Sequence, residues 1–76
     1  MTPRAWLIAA GEALYGERWQ SAIAADLGVA VRTVQRWAAG ERGVDADTID
    51  RVRARLRDRA ARIAAIERRV HFLGLR

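Results

Sequence analysis

The residues best suited to chemistry lie close together between Val31 and Arg36. Arginine can donate two hydrogen bonds to guanine O6 and N7, glutamine can pair with adenine N6 and N7, and valine can contact a thymine methyl group. The side chains that concern us here are Val31, Arg32, Thr33, Gln35 and Arg36. They are candidates for reading base edges in a double strand, provided that the fold holds them on one exposed face.

A helix over residues 31–39 would hold them in this way. With a period of 3.6 residues, Val34 and Trp37 fall on one side of that helix, while Arg32 and Arg36 fall on the other. We expect the apolar side to face a core and the polar side to face solvent. The competing interpretation is that the two arginines merely decorate an exposed helix.

A second helix is expected just before this one, joined to it at Gly28. Ala24 supplies the small residue that two crossing helices need, and the glycine supplies the corner of a tight turn. The pattern over 20–40 therefore predicts a helix-turn-helix. Its inward residues are expected to be Ile23, Leu27, Val29, Val34 and Trp37.

Gln20 and Ser21 stand at the amino end of the first of these two helices. In a docked helix-turn-helix this end crosses the DNA backbone, so its free N–H groups and an adjacent amide side chain can meet a phosphate. Ser21 could also act as a simple helix cap. The two roles are compatible.

The combined pattern resembles the helix-turn-helix of the lambda-repressor and Cro type. The resemblance covers about residues 3 to 50, and it implies that Gln20 contacts the DNA backbone. It further implies that five residues lie at or near base edges: Val31, Arg32, Thr33, Gln35 and Arg36. It also implies that the loop after the second helix approaches phosphates, a role for which Arg42 is the available cation. Ala30 departs from the family's usual polar cap. The matching residues are Gln20, Ala24, Leu27-Gly28-Val29, Thr33-Val34 and Arg36-Trp37-Ala38-Ala39-Gly40.

The amino-terminal stretch predicts a packing helix from Pro3 to about Tyr15. Thr2 can cap it, and Gly16 can end it in a left-handed conformation. Trp19 is expected to lie just outside the next helix, which should begin near Gln20 or Ser21. The inward side of the first helix is expected to hold Trp6, Leu7, Ala10, Ala13 and Leu14.

The carboxyl-terminal stretch predicts one long helix. Asp45 or Asp47 can cap it, and neither glycine nor proline occurs from Val44 to Leu73. Unbroken over 46–73 it would be about 42 Å long, whereas a compact chain of this size has a radius of gyration of about 11 Å. We therefore divide the chain into a DNA-binding domain over 1–45 and a carboxyl-terminal helix over 46–76.

The first half of that helix is expected to pack on the domain and the second half to mediate dimerisation. Its apolar residues recur in steps of three and four, which is typical of a coiled-coil seam. The alternative is a break near Ala60-Ala61 or Ala64-Ala65 that folds the last segment back on its own chain. The residues assigned to dimerisation are Ile63, Ile66, Val70, Phe72 and Leu73.

The positive charge is concentrated in the same region. The net charge is +5, and residues 1–50 contain five arginines against seven acids, whereas 51–76 contain nine arginines against two acids. An exposed ion pair is expected between Asp58 and Arg62, four residues apart. The other arginines of this helix could neutralise phosphates, attract nucleic acid in general, or bind an acidic protein, and the sequence leaves these roles open.

The sequence therefore predicts an all-α protein of four or five helices. The absence of cysteine, of a membrane-spanning stretch and of a secretory signal leads us to expect a cytoplasmic location. No catalytic set, metal site, cofactor or small-molecule ligand is predicted, and His71 is interpreted as a surface residue. The expected function is sequence-specific binding of double-stranded DNA by a homodimeric transcriptional repressor or autoregulator. The alternative is a protein-interaction module whose arginine-rich helix binds an acidic or apolar partner.

Overall fold

The structure, a computed structural model, describes residues 1–74, and these residues are helical with no strand among them. This confirms the predicted all-α class. The last two residues of the predicted carboxyl-terminal segment lie outside the described range. The helices are α1 (Pro3–Tyr15), α2 (Trp19–Leu27), α3 (Val31–Ala39) and α4 (Ala46–Arg68), with short 3-10 turns over Gly16–Arg18 and Arg69–Phe72.

Polar side chains cap the amino ends of α1 and α4 as predicted. Thr2 Oγ1 accepts a hydrogen bond from the Ala5 backbone N–H at 3.1 Å. Asp45 Oδ1 accepts one from the Thr48 N–H at 2.8 Å, which identifies Asp45 as the cap of α4. At the start of α3, Ala30 has the extended conformation of a cap residue but provides no side-chain hydrogen bond.

Each α-helix contributes one large, completely buried aliphatic side chain to a single core. These are Leu7, Ile23, Val34 and Val52. Burial of such a side chain is worth about 1.5–3 kcal/mol, so together they account for much of the attraction between the helices. The surrounding core residues are Ala10, Leu14, Trp19, Ala24, Leu27 and Trp37. Val29 and Trp6 are half-buried against this core, while Ala13, expected on the inward side, is exposed.

Trp19 does not lie outside α2, as expected, but is the first residue of that helix and is buried. Its indole ring packs against Gly11 in the middle of α1. A Cβ atom on Gly11 would lie 2.2 Å from Trp19 Cε3, so only glycine fits at this position. The expectation was wrong because the ring is placed by its contact with α1 and not by the local start of the helix.

The α4 helix is continuous across both alanine pairs where a break had been considered. It extends over 23 residues, about 35 Å at 1.5 Å per residue, and ends at Arg68, five residues earlier than expected. The chain measures 53 × 21 × 21 Å with a radius of gyration of 15.3 Å. The folded-back alternative is therefore wrong, and the second half of α4 projects from the globule.

Candidate nucleic-acid interface

The outer face of α3 brings three of the predicted base-reading residues together. Arg32, Gln35 and Arg36 are exposed and line one shallow concavity, whose remaining walls are Ala39 and Glu41. The two arginines and the glutamate give this surface a local charge of +1. Its long polar side chains extend from one rigid helix, which is the arrangement that contact with base edges requires.

The other two residues of the predicted set, Val31 and Thr33, expose less of their side chains. Val31, the first residue of α3, is 40% exposed. Thr33 is half-buried, so it presents less of its side chain than its neighbours do. A contact through Thr33 would therefore require a closer approach than contacts through Arg32 or Arg36.

The apolar side of α3 fixes the direction of the polar side. Val34 is fully buried and Trp37 is 5% exposed. Rotation of α3 about its axis would expose both of them. The orientation of Arg32 and Arg36 towards solvent is thus held by the core.

The carboxyl end of α3 is held by a contact that the sequence did not reveal. Arg4 Nε, from the first turn of α1, donates a hydrogen bond to the Ala38 carbonyl at 2.6 Å. The arginine stem lies over Gly40, where a Cβ atom would be 3.5 Å from Arg4 Cδ. Gly40 adopts φ 78°, and its N–H bonds back to the last turn of α3. An amino-terminal residue therefore helps to position the candidate interface.

The three residues assigned to phosphate contacts are not all on the same surface as the α3 concavity. Gln20 is half-buried and Ser21 is exposed in the first turn of α2. Arg42 is exposed after α3, but it lines a separate concavity beside Arg4 and the start of α1. Ser21 is not the cap of α2, because the cap position is occupied by Arg18, which makes no side-chain capping hydrogen bond.

Two arginines of α4 donate hydrogen bonds to carbonyls at the carboxyl ends of α1 and α2. Arg51 Nη2 donates to the Leu27 carbonyl at 2.9 Å, at the end of α2. Arg59 Nη1 donates to the Leu14 carbonyl at 2.9 Å, at the end of α1. The final carbonyls of a helix have no partner within it, and a cation there also interacts favourably with the helix dipole. These arginines therefore have internal roles that the sequence left open.

Arg55 belongs to a small network with Asp26 and Tyr15. Arg55 Nε donates to Asp26 Oδ2 at 2.7 Å, and the Tyr15 hydroxyl donates to the same oxygen. Hydrogen bonding by Tyr15, and next by Arg55, lowers the pKa of Asp26. Burial and the hydrogen bond to Asp26 raise the pKa of Tyr15. The network joins α1, α2 and α4 on an exposed side of the globule.

The predicted pair between Arg62 and Asp58 is present, with 3.5 Å between Nε and Oδ2. Both side chains are largely exposed, so the pair contributes little to stability. Among residues 1–74, neither Arg32 nor Arg36 has an acidic partner within ion-pair distance.

The residues assigned to dimerisation lie on the projecting end and are all solvent-exposed. The exposed fractions are 59% for Ile63, 68% for Ile66, 53% for Val70, 86% for Phe72 and 61% for Leu73. Isolated soluble domains rarely leave so many large apolar side chains uncovered in one place. His71 is also exposed on this segment.

Comparison with known proteins found no matching family model, curated protein or solved structure. Within residues 1–74, no helix combines the length and apolar character needed to cross a bilayer.

Proposed function

We propose that this protein binds double-stranded DNA sequence-specifically by inserting α3 into the major groove. In this proposal α2, its turn and α3 form a helix-turn-helix of the lambda-repressor and Cro type. The observation that carries the proposal is the α3 concavity, where Arg32, Gln35 and Arg36 are exposed together without acidic partners while the opposite side of α3 is buried. A bidentate contact from arginine to guanine is among the commonest specific base contacts, and glutamine can pair with adenine in the same way.

Contacts to the DNA backbone would come from Gln20, Ser21 and Arg42. The first two lie at the amino end of α2, where backbone N–H groups and a helix dipole favour a phosphate. A homodimer joined by the projecting ends of α4 would present two α3 helices to two half-sites, as repressors and autoregulators of this type do.

A protein-interaction module is the second candidate, and the exposed apolar end of α4 is the observation that favours it. The version in which α4 binds an acidic protein through its arginines is weakened by the structure. Arg51, Arg55 and Arg59 already donate to groups of the same chain.

The test is selection of bound duplexes from a random pool, followed by Arg32→Ala and Arg36→Ala. Loss of one bidentate contact should reduce discrimination at particular base pairs by about 5- to 150-fold, while other positions of the site keep their preference.

The matched control is Arg57→Ala, an exposed arginine of α4 outside both observed ion pairs. It removes the same charge, so it should weaken all duplexes alike or not at all. Arg55→Ala is unsuitable because it would also break the contact with Asp26. If both α3 variants kept the parent's affinity and base preference, the DNA proposal would be wrong and the protein-interaction module would be favoured.

A further inference from the structure

An apolar groove lies between the start of α1 and one side of α4. Trp6, Ile49 and Leu56 line it together with Arg53 and Pro3. We call it the Trp6 groove. Its volume is about 440 Å³, and its lining is mainly apolar. The groove is open to solvent. Large exposed apolar surfaces usually mark a site of contact with a partner.

The groove is continuous with the apolar stripe of the projecting end. Ile49, Leu56, Ile63 and Val70 are seven residues apart, and seven residues fall only about 20° short of two full helical turns. The first two line the groove, while the last two are exposed beyond the globule, Ile63 on α4 and Val70 in the 3-10 turn that follows it. One stripe therefore begins in the groove and continues along the projection.

The projecting ends alone offer little area for a dimer. Each large apolar side chain provides about 60–120 Å², so the five exposed on this segment supply less than about 600 Å². A standard stable interface buries about 800 Å² per partner. Because about 56–65% of an interface is apolar, a standard interface needs about 450–520 Å² of apolar surface per partner, which the projecting ends reach only if nearly all of their exposed apolar area is buried. The Trp6 groove supplies further apolar surface that continues the stripe.

We propose that the Trp6 groove receives the projecting end of α4 from a second copy of this chain. The two α4 helices lie antiparallel, and each copy fills the groove of the other. This arrangement rests on the dimer proposed above, but it is independent of DNA.

The sequence of α4 is self-complementary in this arrangement. In an antiparallel pair with its two-fold axis beside Ala61, residues equally distant from Ala61 face each other. Leu56 then faces Ile66 of the second copy, and Ile63 faces Arg59 of the second copy. Ile49 faces the segment of the second copy that follows Arg68, where Val70, Phe72 and Leu73 are exposed. Ile49 and Leu56, the apolar α4 residues that line the groove, therefore both face apolar side chains of the second copy.

On the flank of the α4 seam that lies nearer the groove, residues of opposite charge from the two copies face each other. Residues on this flank of the seam are centred on Ala60 and not on Ala61, so Arg53 lies beside Glu67 of the second copy, each seven residues from Ala60. Both are exposed, and neither is in an ion pair among residues 1–74. They are 14 residues apart, about 21 Å along one helix, so they cannot pair within a chain. On the other flank, which is centred on Arg62, the two copies of Arg62 approach each other, and Asp58 of the same chain offsets the charge of each. Arg55 approaches Arg69 of the second copy there, and Asp26 offsets the charge of Arg55.

Charge reversal tests this contact. Arg53→Glu and Glu67→Arg should each weaken self-association by about 3- to 30-fold at low salt, because each change occurs twice in a dimer. The double variant should recover the parent's association, and only a contact between two chains could produce that recovery. Sedimentation equilibrium measures the effect without DNA. Arg57→Glu makes the same charge change away from the groove lining and serves as control.

Crosslinking locates the two-fold axis. The chain has no cysteine, so single thiols can be placed freely. Ala60→Cys should join two copies through a short bifunctional thiol reagent, since this position lies beside the axis. Glu67→Cys should not. Crosslinking at Glu67 alone would mean that only the projecting ends pair, and crosslinking at both positions would mean a parallel dimer.

Either of those outcomes would overturn the groove proposal while leaving a dimer intact. A wild-type chain that remains monomeric would remove both the groove contact and the dimer. A dimer insensitive to both charge reversals would remove the groove contact alone.

Discussion

Arginine is the only basic residue type in this protein, and three of its arginines act on helix ends. Arg4, Arg51 and Arg59 each donate to a carbonyl in the last turn of a different helix. A guanidinium suits this task because it carries several donors and stays charged at any ordinary pH. The high positive charge of α4 therefore overstates the charge available to a polyanion.

The carboxylate of Asp26 makes the stability of the fold depend on pH. The hydrogen bonds from Tyr15 and Arg55 lower its pKa below the ordinary value of 3.8. The folded state therefore holds the carboxylate more favourably than the unfolded state does. This contribution is fully present above about pH 4 and is lost as the pH falls through the lowered pKa.

We expect the stability of the wild type to fall more steeply below about pH 4 than that of Asp26→Asn. Urea unfolding at a series of pH values measures the slope. Tyr15→Phe removes the larger of the two influences and should give an intermediate slope. Equal slopes for all three proteins would show that the network does not stabilise the carboxylate.

The first turn of α3 lacks a side-chain capping hydrogen bond. Ala30 has φ −68° and ψ 144°, the backbone conformation of a capping residue, but no side-chain acceptor. Ala30→Ser should therefore increase the free energy of unfolding by about 0.5–2 kcal/mol. Denaturant unfolding checks this value.

Ala9→Ser is the matched control, since Ala9 is exposed in the interior of α1. Serine there has a lower helix propensity and no capping role, so this variant should be neutral or slightly destabilising. If both serine variants behaved alike, the start of α3 would not be limited by its cap.

The bounds of α1 and α3 were predictable because their signals are local. Thr2 and Pro3 start one helix, and the spacing of Val34 and Trp37 orients the other. The packing of Trp19 on Gly11 was not predictable, because it joins two helices whose relative placement no local pattern specifies. An isolated glycine inside a helical pattern was the available signal.

The candidate site likewise combines features that local sequence patterns predict with contacts between distant residues that they do not predict. The exposure of Arg32, Gln35 and Arg36 followed from helical period alone. The hydrogen bond from Arg4 to Ala38 joins residues that are 34 positions apart in the sequence, and no sequence pattern predicts it. The roles of Arg51 and Arg59 likewise became evident only when the ends of α1 and α2 were placed beside α4.

The whole molecule is 53 Å long, and its projecting end is the part most exposed to a partner. Ile63→Asp combined with Ile66→Asp should convert the proposed dimer into a monomer, because a charged carboxylate would replace the Ile66 side chain that faces Leu56 of the second copy. Sedimentation should show a loss of mass. Both residues are exposed in the single chain, so the circular dichroism of the monomer should remain helical.

Ala54→Asp provides the control for added charge on α4, at a position that lines none of the described grooves. It should leave the mass unchanged. An unaltered mass in the Ile63 and Ile66 double variant would show that the projecting end does not mediate association.

The contacts made by α4 also affect the order of events during synthesis. The end of α1 is joined to Arg59 across 45 residues, and the end of α2 to Arg51 across 24. A ribosome must therefore release most of the chain before either contact can form. The first helix to emerge waits longest, because the carboxyl end of α1 gains its contact only after Arg59 has left the ribosome.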